Sequence, residues 1–152
     1  MLHSYIKVFI HFIWSTKERE KYLDKSARPQ VKRHLAENAW KNKILIDTLN
    51  AQIDHVHMLI SLSSDQKIDD IARLLKGESS HWINEESIIS GKFSWQRGYA
   101  AFSVNPMELD AVRWYIKNQD EHHRQKTFAE EYRSILKEHG FSIPETDESV
   151  RS

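Results

Sequence analysis

The sequence contains no cysteine, only four glycines and three prolines, and equal numbers of acidic and basic residues. The absence of cysteine excludes disulfides and thiolate metal sites, so any bound metal must take histidine, carboxylate or amide ligands. No internal repeat or low-complexity tract is present. A length of 152 residues is enough for one domain with a single hydrophobic core.

Long hydrophobic runs are also missing. The apolar opening at residues 5–14 is too short to span a bilayer, and Lys7 and His11 interrupt it. It lacks the basic, apolar and small-residue order of a signal peptide. We therefore expect a cytoplasmic protein without a membrane partner. No P-loop sequence is found, so no nucleotide cofactor is expected.

A net charge of zero does not argue for or against nucleic-acid binding, but the charge is unevenly distributed along the chain. Residues 1–45 hold 10 Lys and Arg against 4 Asp and Glu, whereas residues 46–152 hold 12 against 18. A basic N-terminal third is suited to a phosphate backbone. An ordinary solvated helix face would give the same count.

Hydrophobic periodicity predicts the element order β-α-β-β-α-β-α-α. Strands are predicted at residues 4–14, 43–52, 55–62 and 92–104, and helices at 27–42, 66–84, 105–123 and 127–140. Ser26, Asn105 and Thr127 are the expected helix caps. This order favours an α+β fold, a single-domain antiparallel sheet with helices packed on one face, broadly ferredoxin-like. The domain is expected to cover residues 1–143, before a flexible acidic tail at 144–152.

Two histidines alternate in the third predicted strand. His55 and His57 point to one face of the sheet, while Val56 and Met58 point to the other. Side chains on one face lie roughly 6–7 Å apart along a strand, so two imidazoles are able to converge on one metal ion. Two histidines on a wet sheet face would give the same pattern.

A tyrosine and a glutamine share one face of the helix predicted at residues 105–123. Tyr115 and Gln119 are four residues apart, whereas Leu109, Val112 and Ile116 form the stripe that faces the core. Most tyrosines in helices are half-buried packing residues, so this pair alone is weak. Combined with the histidines, it offers three metal ligands, His55, His57 and Gln119, beside a nucleophile, Tyr115. That set suits the attack of a hydroxyl on a phosphodiester.

Four sequence blocks resemble the HUH single-tyrosine transposases of bacterial insertion sequences, including their REP-associated relatives. HUH stands for His-hydrophobic-His. The resemblance runs from FIHFIWSTK at 9–17 to about Gly140, and the blocks are DHVHML at 54–59, LKGESS at 75–80, WQRGYAAFS at 95–103 and YIKNQDEHH at 115–123. Their order is far more specific than any one of them. The segment at 49–53 departs from the family because it lacks the usual glycine turn.

The resemblance implies a ferredoxin-like or RRM-like HUH fold with His55, His57 and Gln119 as metal ligands and Tyr115 as nucleophile. It implies a DNA transposase that cleaves and rejoins single-stranded DNA through a 5′-phosphotyrosine intermediate. The expected cofactor is a divalent metal ion, Mg²⁺ or Mn²⁺. The expected partners are single-stranded DNA with a hairpin at element ends and a second copy of the chain in a homodimer.

Three alternatives stay open at this point. A rolling-circle replication initiator or relaxase would share the HUH core, although such proteins carry further domains. A histidine-triad nucleotide hydrolase would need a third alternating histidine. A domesticated nucleic-acid-binding module that no longer cuts DNA would not need the complete set of Tyr115, Gln119, His55 and His57.

Other polar residues are weaker candidates. Tyr132 is expected in the core beside Phe128, and His122 is a candidate for moving the Tyr115 proton or contacting phosphate. Basic residues that would contact phosphate are Lys17, Arg19, Lys32, Arg33, Lys76, Arg97, Lys117 and Arg124.

Overall fold

The computed structural model describes residues 3–144 and contains four strands and five α-helices. The strands are β1 (Val8–Ser15), β2 (Leu45–Ala51), β3 (His55–Leu62) and β4 (Ala100–Val104). The helices are α1 (Ala27–Lys41), α2 (Ile68–Glu85), α3 (Leu109–Lys117), α4 (Gln119–His122) and α5 (Phe128–Glu138). The acidic tail predicted at 144–152 lies, apart from Pro144, outside the described residues.

The strands form one antiparallel sheet in the order β2-β3-β1-β4. This is the strand order of a ferredoxin-like fold, so the predicted α+β architecture is confirmed. In the centre of the sheet, Ile13 pairs with His57 and Trp14 pairs with Val56. The register therefore fixes which side chains of β1 and β3 are neighbours on each face.

The two faces of the sheet carry different cores. The larger core lies between the sheet and α1 and α2, and it includes Trp14, Val56 and Met58. On the other face, Ile13 packs with Phe128 of α5, and two strand residues, Phe9 and Leu59, pack with Leu109 and Ile116 of α3. The prediction that the helices pack on one face was therefore wrong, because the apolar stripes of α3 and α5 also need a surface to bury them.

Three predicted strands are shorter in the structure, and the one predicted at 43–52 spans only Leu45–Ala51. β1 begins at Val8, four residues later than expected, and Tyr5 before it is 93% exposed. Only the end of the segment at 92–104 forms a strand, preceded by an isolated bridge between Thr16 and Trp95. In this segment the ammonium group of Lys76 donates to the carbonyl oxygens of Arg97 and Gly98, so these two carbonyl groups bond to a side chain instead of a neighbouring strand.

The helix predicted at 105–123 is divided. Asn105 caps a 3-10 turn by accepting a hydrogen bond from the Met107 amide, as predicted, but α3 ends at Lys117. Asn118 lies between α3 and α4 with φ −102° and ψ 31°, outside helical geometry. Tyr115 and Gln119 therefore belong to consecutive helices instead of one.

The other predicted caps had different outcomes. Thr127 caps α5 through the Glu130 amide, whereas Ser26 does not cap α1. The Asp24 carboxylate accepts hydrogen bonds from the amides of Ser26 and Ala27 instead.

Within residues 3–144, none of the helices combines the length and apolar character needed to cross a membrane.

Candidate active site

The centre of the candidate site is a pair of buried histidines on β3. His55 is 1% exposed and His57 is 0% exposed, and their rings lie 5.1 Å apart on the face opposite the larger core. The intervening Val56 points into that core, as the alternation in the sequence predicts. Buried imidazoles require polar partners, so their environment is informative.

Each of these histidines uses its Nδ1 atom in a hydrogen bond that orients the ring. His55 Nδ1 lies 2.7 Å from Asp54 Oδ1, and His57 Nδ1 lies 2.9 Å from His11 Nε2. His11 comes from β1, which pairs with β3 in the sheet. With Nδ1 fixed, the Nε2 atoms of both rings face α4 and α5. In many metal sites one ring nitrogen of a histidine is held by a hydrogen bond in this way while the other binds the ion.

Gln119 is also fully buried, and its side chain lies beside the two histidines. Its amide nitrogen donates to the backbone carbonyl of Tyr115, which orients the amide oxygen toward the histidines. That oxygen lies 3.3 Å from His55 Nε2 and 2.8 Å from His123 Nε2. The break at Asn118 therefore still leaves Gln119 beside Tyr115, through side-chain contacts instead of a continuous helix.

The hydroxyl of Tyr115 donates to a buried carboxylate, Glu131 of α5, with a distance of 2.5 Å to Oε1. The same oxygen lies 2.8 Å from His57 Nε2, and Oε2 lies 2.6 Å from His123 Nε2. Glu131 is only 2% exposed. One carboxylate thus joins the candidate nucleophile to one of the histidines predicted to bind metal.

Burial and neighbouring charge set the protonation of the site. Burial lowers the pKa of His57 to about 4 and that of His11 to about 3, so both rings are neutral at neutral pH. Burial opposes ionisation of Glu131, but the adjacent imidazoles of His123 and His57 outweigh it and hold the pKa of this carboxyl below its usual value. Burial and the Glu131 charge raise the pKa of Tyr115, so its hydroxyl stays protonated.

A cleft of about 470 Å³ opens beside the Tyr115 hydroxyl, between α3 and α5. It gives solvent-sized access to a ring that is otherwise surrounded by protein. Its lining includes His11, His122, Lys126 and Glu131. The cleft therefore connects the side chain of Tyr115 with solvent.

The residues around the site fit a divalent ion. The ligand atoms of His55, His57 and Glu131 all lie within 4.8 Å of one another. His57 Nε2 is buried and has no partner in hydrogen-bond geometry, although Glu131 is near. A buried nitrogen without a hydrogen bond is costly in a protein but suited to a metal.

Weaker candidates from the sequence have other surroundings. Tyr132 is buried in the cluster of Ile13 and Phe128, as expected for a core residue. Arg124 pairs with Glu121 at 3.1 Å. The ring of His122 lies 5.2 Å from that of Tyr115, which keeps it near the candidate nucleophile.

Sequence reasoning missed Glu131, His123 and the orienting role of His11. A signal for Glu131 exists, because Phe128, Tyr132 and Ile135 form an apolar stripe on α5 and a carboxylate interrupts it. His11 similarly stands in an apolar strand. Both are polar residues at positions where the pattern requires burial.

Comparison with known proteins agrees with the fold. The sequence model of the family described as "Transposase IS200 like" matches residues 4–119. The chain is 28% identical over 115 residues to the ISDra2 transposase TnpA of Deinococcus radiodurans, a match that covers 72% of this chain and 81% of that protein. The chain therefore belongs to the IS200-like transposases, the HUH single-tyrosine group that its sequence resembles.

Two solved structures share the fold. A crystal structure of a candidate transposase from Deinococcus radiodurans R1 superposes with a TM-score of 0.61 at 25% identity, covering 78% of this chain and 96% of that one. A REP-associated tyrosine transposase bound to a REP hairpin gives a TM-score of 0.62 at 18% identity, covering 81% and 73%. At 18% identity, this second likeness supports the fold alone.

The buried histidines make stability depend on pH. Because the folded pKa values of His11 and His57 lie below the ordinary 6.5, the unfolded chain binds protons first as pH falls. The free energy of unfolding of the metal-free protein should fall between pH 6.5 and 4, by about 3 kcal/mol for His57 alone. The depressed pKa of Glu131 adds a loss at still lower pH.

Urea unfolding in the presence of a chelator, followed by circular dichroism at pH 7.5, 5.5 and 4.5, measures this dependence. His57→Gln should flatten the profile, whereas His81→Gln, at an exposed position, should leave its slope unchanged. A wild-type profile that is flat over this range would contradict the assignment of neutral buried histidines.

Proposed function

We propose that the chain cleaves and rejoins single-stranded DNA through a 5′-phosphotyrosine formed on Tyr115. The observation that carries this proposal is the convergence of Tyr115 with His55, His57 and Gln119 in one buried site that a cleft opens to solvent. Membership of the IS200-like transposases supports DNA strand transfer as the activity.

In the proposed reaction, the Tyr115 oxygen attacks a phosphorus of the DNA backbone. A bond forms between the phenolic oxygen and phosphorus, the bond from phosphorus to the 3′ oxygen breaks, and the phenolic proton ends on the departing 3′ oxygen. A 3′-hydroxyl of another strand then reverses the attack and seals a new junction. The covalent link conserves the phosphodiester energy, so nucleotide hydrolysis is not required.

His55, His57 and Gln119 would hold a divalent ion, Mg²⁺ or Mn²⁺. When bound, such an ion withdraws charge from the phosphoryl oxygens. The chain's own contribution is orientation, because Asp54 and His11 hold the two imidazoles and Gln119 is tied to the backbone of Tyr115. Ligands held in this way lose little freedom when they bind.

A groove between α1 and β2 supports the proposed contacts with DNA. Its volume is about 740 Å³, and Lys32, Arg33 and Lys117 line it together with Trp40, which is 76% exposed. Cations beside an exposed indole ring suit a single strand, whose phosphates need positive charge and whose bases stack on aromatic rings. Lys117 belongs to α3, the helix that carries Tyr115.

We propose a hairpin in single-stranded DNA as the substrate and a homodimer as the active assembly. Two element ends must be held at once during transposition, and a two-fold dimer provides two equivalent sites. The hairpin-bound relative with the same fold is consistent with this substrate. A cytoplasmic location stays a prediction from the sequence.

Tyr115→Phe should remove covalent adduct formation while leaving affinity for single-stranded DNA within about twofold. The substitution deletes only the hydroxyl, and the ring keeps its packing against His11 and His57. A denaturing gel with 5′-labelled hairpin DNA detects the adduct, and Tyr22→Phe serves as a control that should retain it. An adduct in the Tyr115 variant would assign the nucleophile to another residue.

His55→Ala or His57→Ala should abolish cleavage and weaken Mn²⁺ binding by at least tenfold, since each removes one of the three ligands in the proposed set of His55, His57 and Gln119. Gln119→Ala should reduce affinity less, because water is able to replace a neutral amide oxygen. Calorimetric titration measures the three affinities. Equal Mn²⁺ affinity in the wild type and a double-histidine variant would rule out this metal site.

The protein should cleave single-stranded DNA that contains a hairpin and leave the same sequence intact as a perfect duplex, since a paired backbone resists bending into the cleft.

The affinity for single-stranded DNA should fall steeply as the salt concentration rises. Replacing Lys32 and Arg33 by Gln should reduce the slope of log K against the logarithm of the salt concentration by about 0.7 per lost phosphate contact. Lys92→Gln, at an exposed position outside the groove, should leave the slope unchanged.

Matched oligonucleotides and fluorescence anisotropy at several salt concentrations test both statements, and light scattering reports the assembly. A monomer that cuts duplex DNA as well as hairpin DNA would contradict the proposed substrate and the proposed dimer together.

A further inference from the structure

Glu131 occupies a position that the proposed reaction does not explain. Among the described residues, its carboxylate is in contact with His57, His123 and the Tyr115 hydroxyl, and His122 lies 3.4 Å away. Glu131 itself is 2% exposed. A buried carboxylate is costly unless it is paired, and no Lys or Arg in residues 3–144 pairs with it.

We propose that Glu131 is both a ligand of the divalent ion and the group that holds the Tyr115 hydroxyl, so that metal binding and release of the nucleophile are coupled. This inference rests on the proposed function, and it adds a ligand from α5 to the set taken from β3 and α4.

Geometry supports the first half of the inference. Glu131 Oε1 lies 2.8 Å from His57 Nε2, and the ligand atoms of His55, His57 and Glu131 are mutually close enough to share one ion. An anionic oxygen suits Mg²⁺ or Mn²⁺ better than a neutral amide does.

The second half of the inference follows from the sharing of a single oxygen. Tyr115 donates to Oε1, the same atom that faces His57. A lone pair that binds a cation is no longer free to accept this hydrogen bond at full strength. Metal binding should therefore weaken the hold of Glu131 on Tyr115, and the Tyr115 hydroxyl should in turn weaken metal binding, since coupling between two partners is reciprocal.

Mn²⁺ affinity, measured by calorimetry and by electron paramagnetic resonance without DNA, tests the coupling. Glu131→Gln should weaken binding at least tenfold, because an isosteric amide keeps the shape but loses the charge. Tyr115→Phe should strengthen binding by about tenfold, the order of a hydrogen bond to a charged acceptor. Glu130→Gln, at the adjacent exposed position on α5, should leave affinity unchanged.

A spectroscopic signal of Tyr115 separates this coupling from a structural role. Mn²⁺ added to the DNA-free wild type should perturb one tyrosine in the near-ultraviolet difference spectrum, and Tyr115→Phe should lose that signal. If Glu131→Gln fails to fold by circular dichroism, the Tyr115→Phe affinity and the difference spectrum still decide the inference.

The outcomes also distinguish this inference from the proposed function. Unchanged Mn²⁺ affinity in both Glu131→Gln and Tyr115→Phe, with binding lost in His57→Ala, would overturn the role of Glu131 and leave the histidine site intact. Binding that survives in the double-histidine variant would overturn the metal site itself. Tighter binding in Tyr115→Phe with weaker binding in Glu131→Gln supports the coupling.

Discussion

The antiparallel ladder between β1 and β3 is the interaction on which the rest of the structure depends. These two strands occupy the centre of the sheet, so their register decides which side chains enter the larger core and which face α3 and α5. The pairing of Ile13 with His57 brings His11 close to the His57 ring. Core packing and site geometry are therefore consequences of the same backbone hydrogen bonds.

Much of the fold was predictable because the apolar periods are regular. The order of elements and the alternation of His55 and Val56 follow directly from the sequence. The short β4 was not predictable, since the carbonyl oxygens just before it bond to the ammonium group of Lys76, a contact between distant parts of the sequence. The turn at 52–54 needs no glycine, because none of its residues has a positive φ.

The candidate site was predictable only where its residues carry a local pattern. The two histidines and the Tyr115–Gln119 pair are marked by strand and helix spacing. The structure adds His11 and Glu131, whose positions depend on strand pairing and on how α5 packs over the sheet. Contacts of this kind join distant parts of the chain, and a single sequence contains no spacing that specifies them.

The helix that carries Glu131 lies outside the segment matched by the sequence model of the family. The family match ends at residue 119, whereas α5 spans Phe128–Glu138. Tyr115, Gln119 and both histidines all lie within the matched segment, whereas Glu131 lies beyond it. The candidate nucleophile and the carboxylate that restrains it therefore come from two separate parts of the chain, so one can be altered by substitution while the other is left in place.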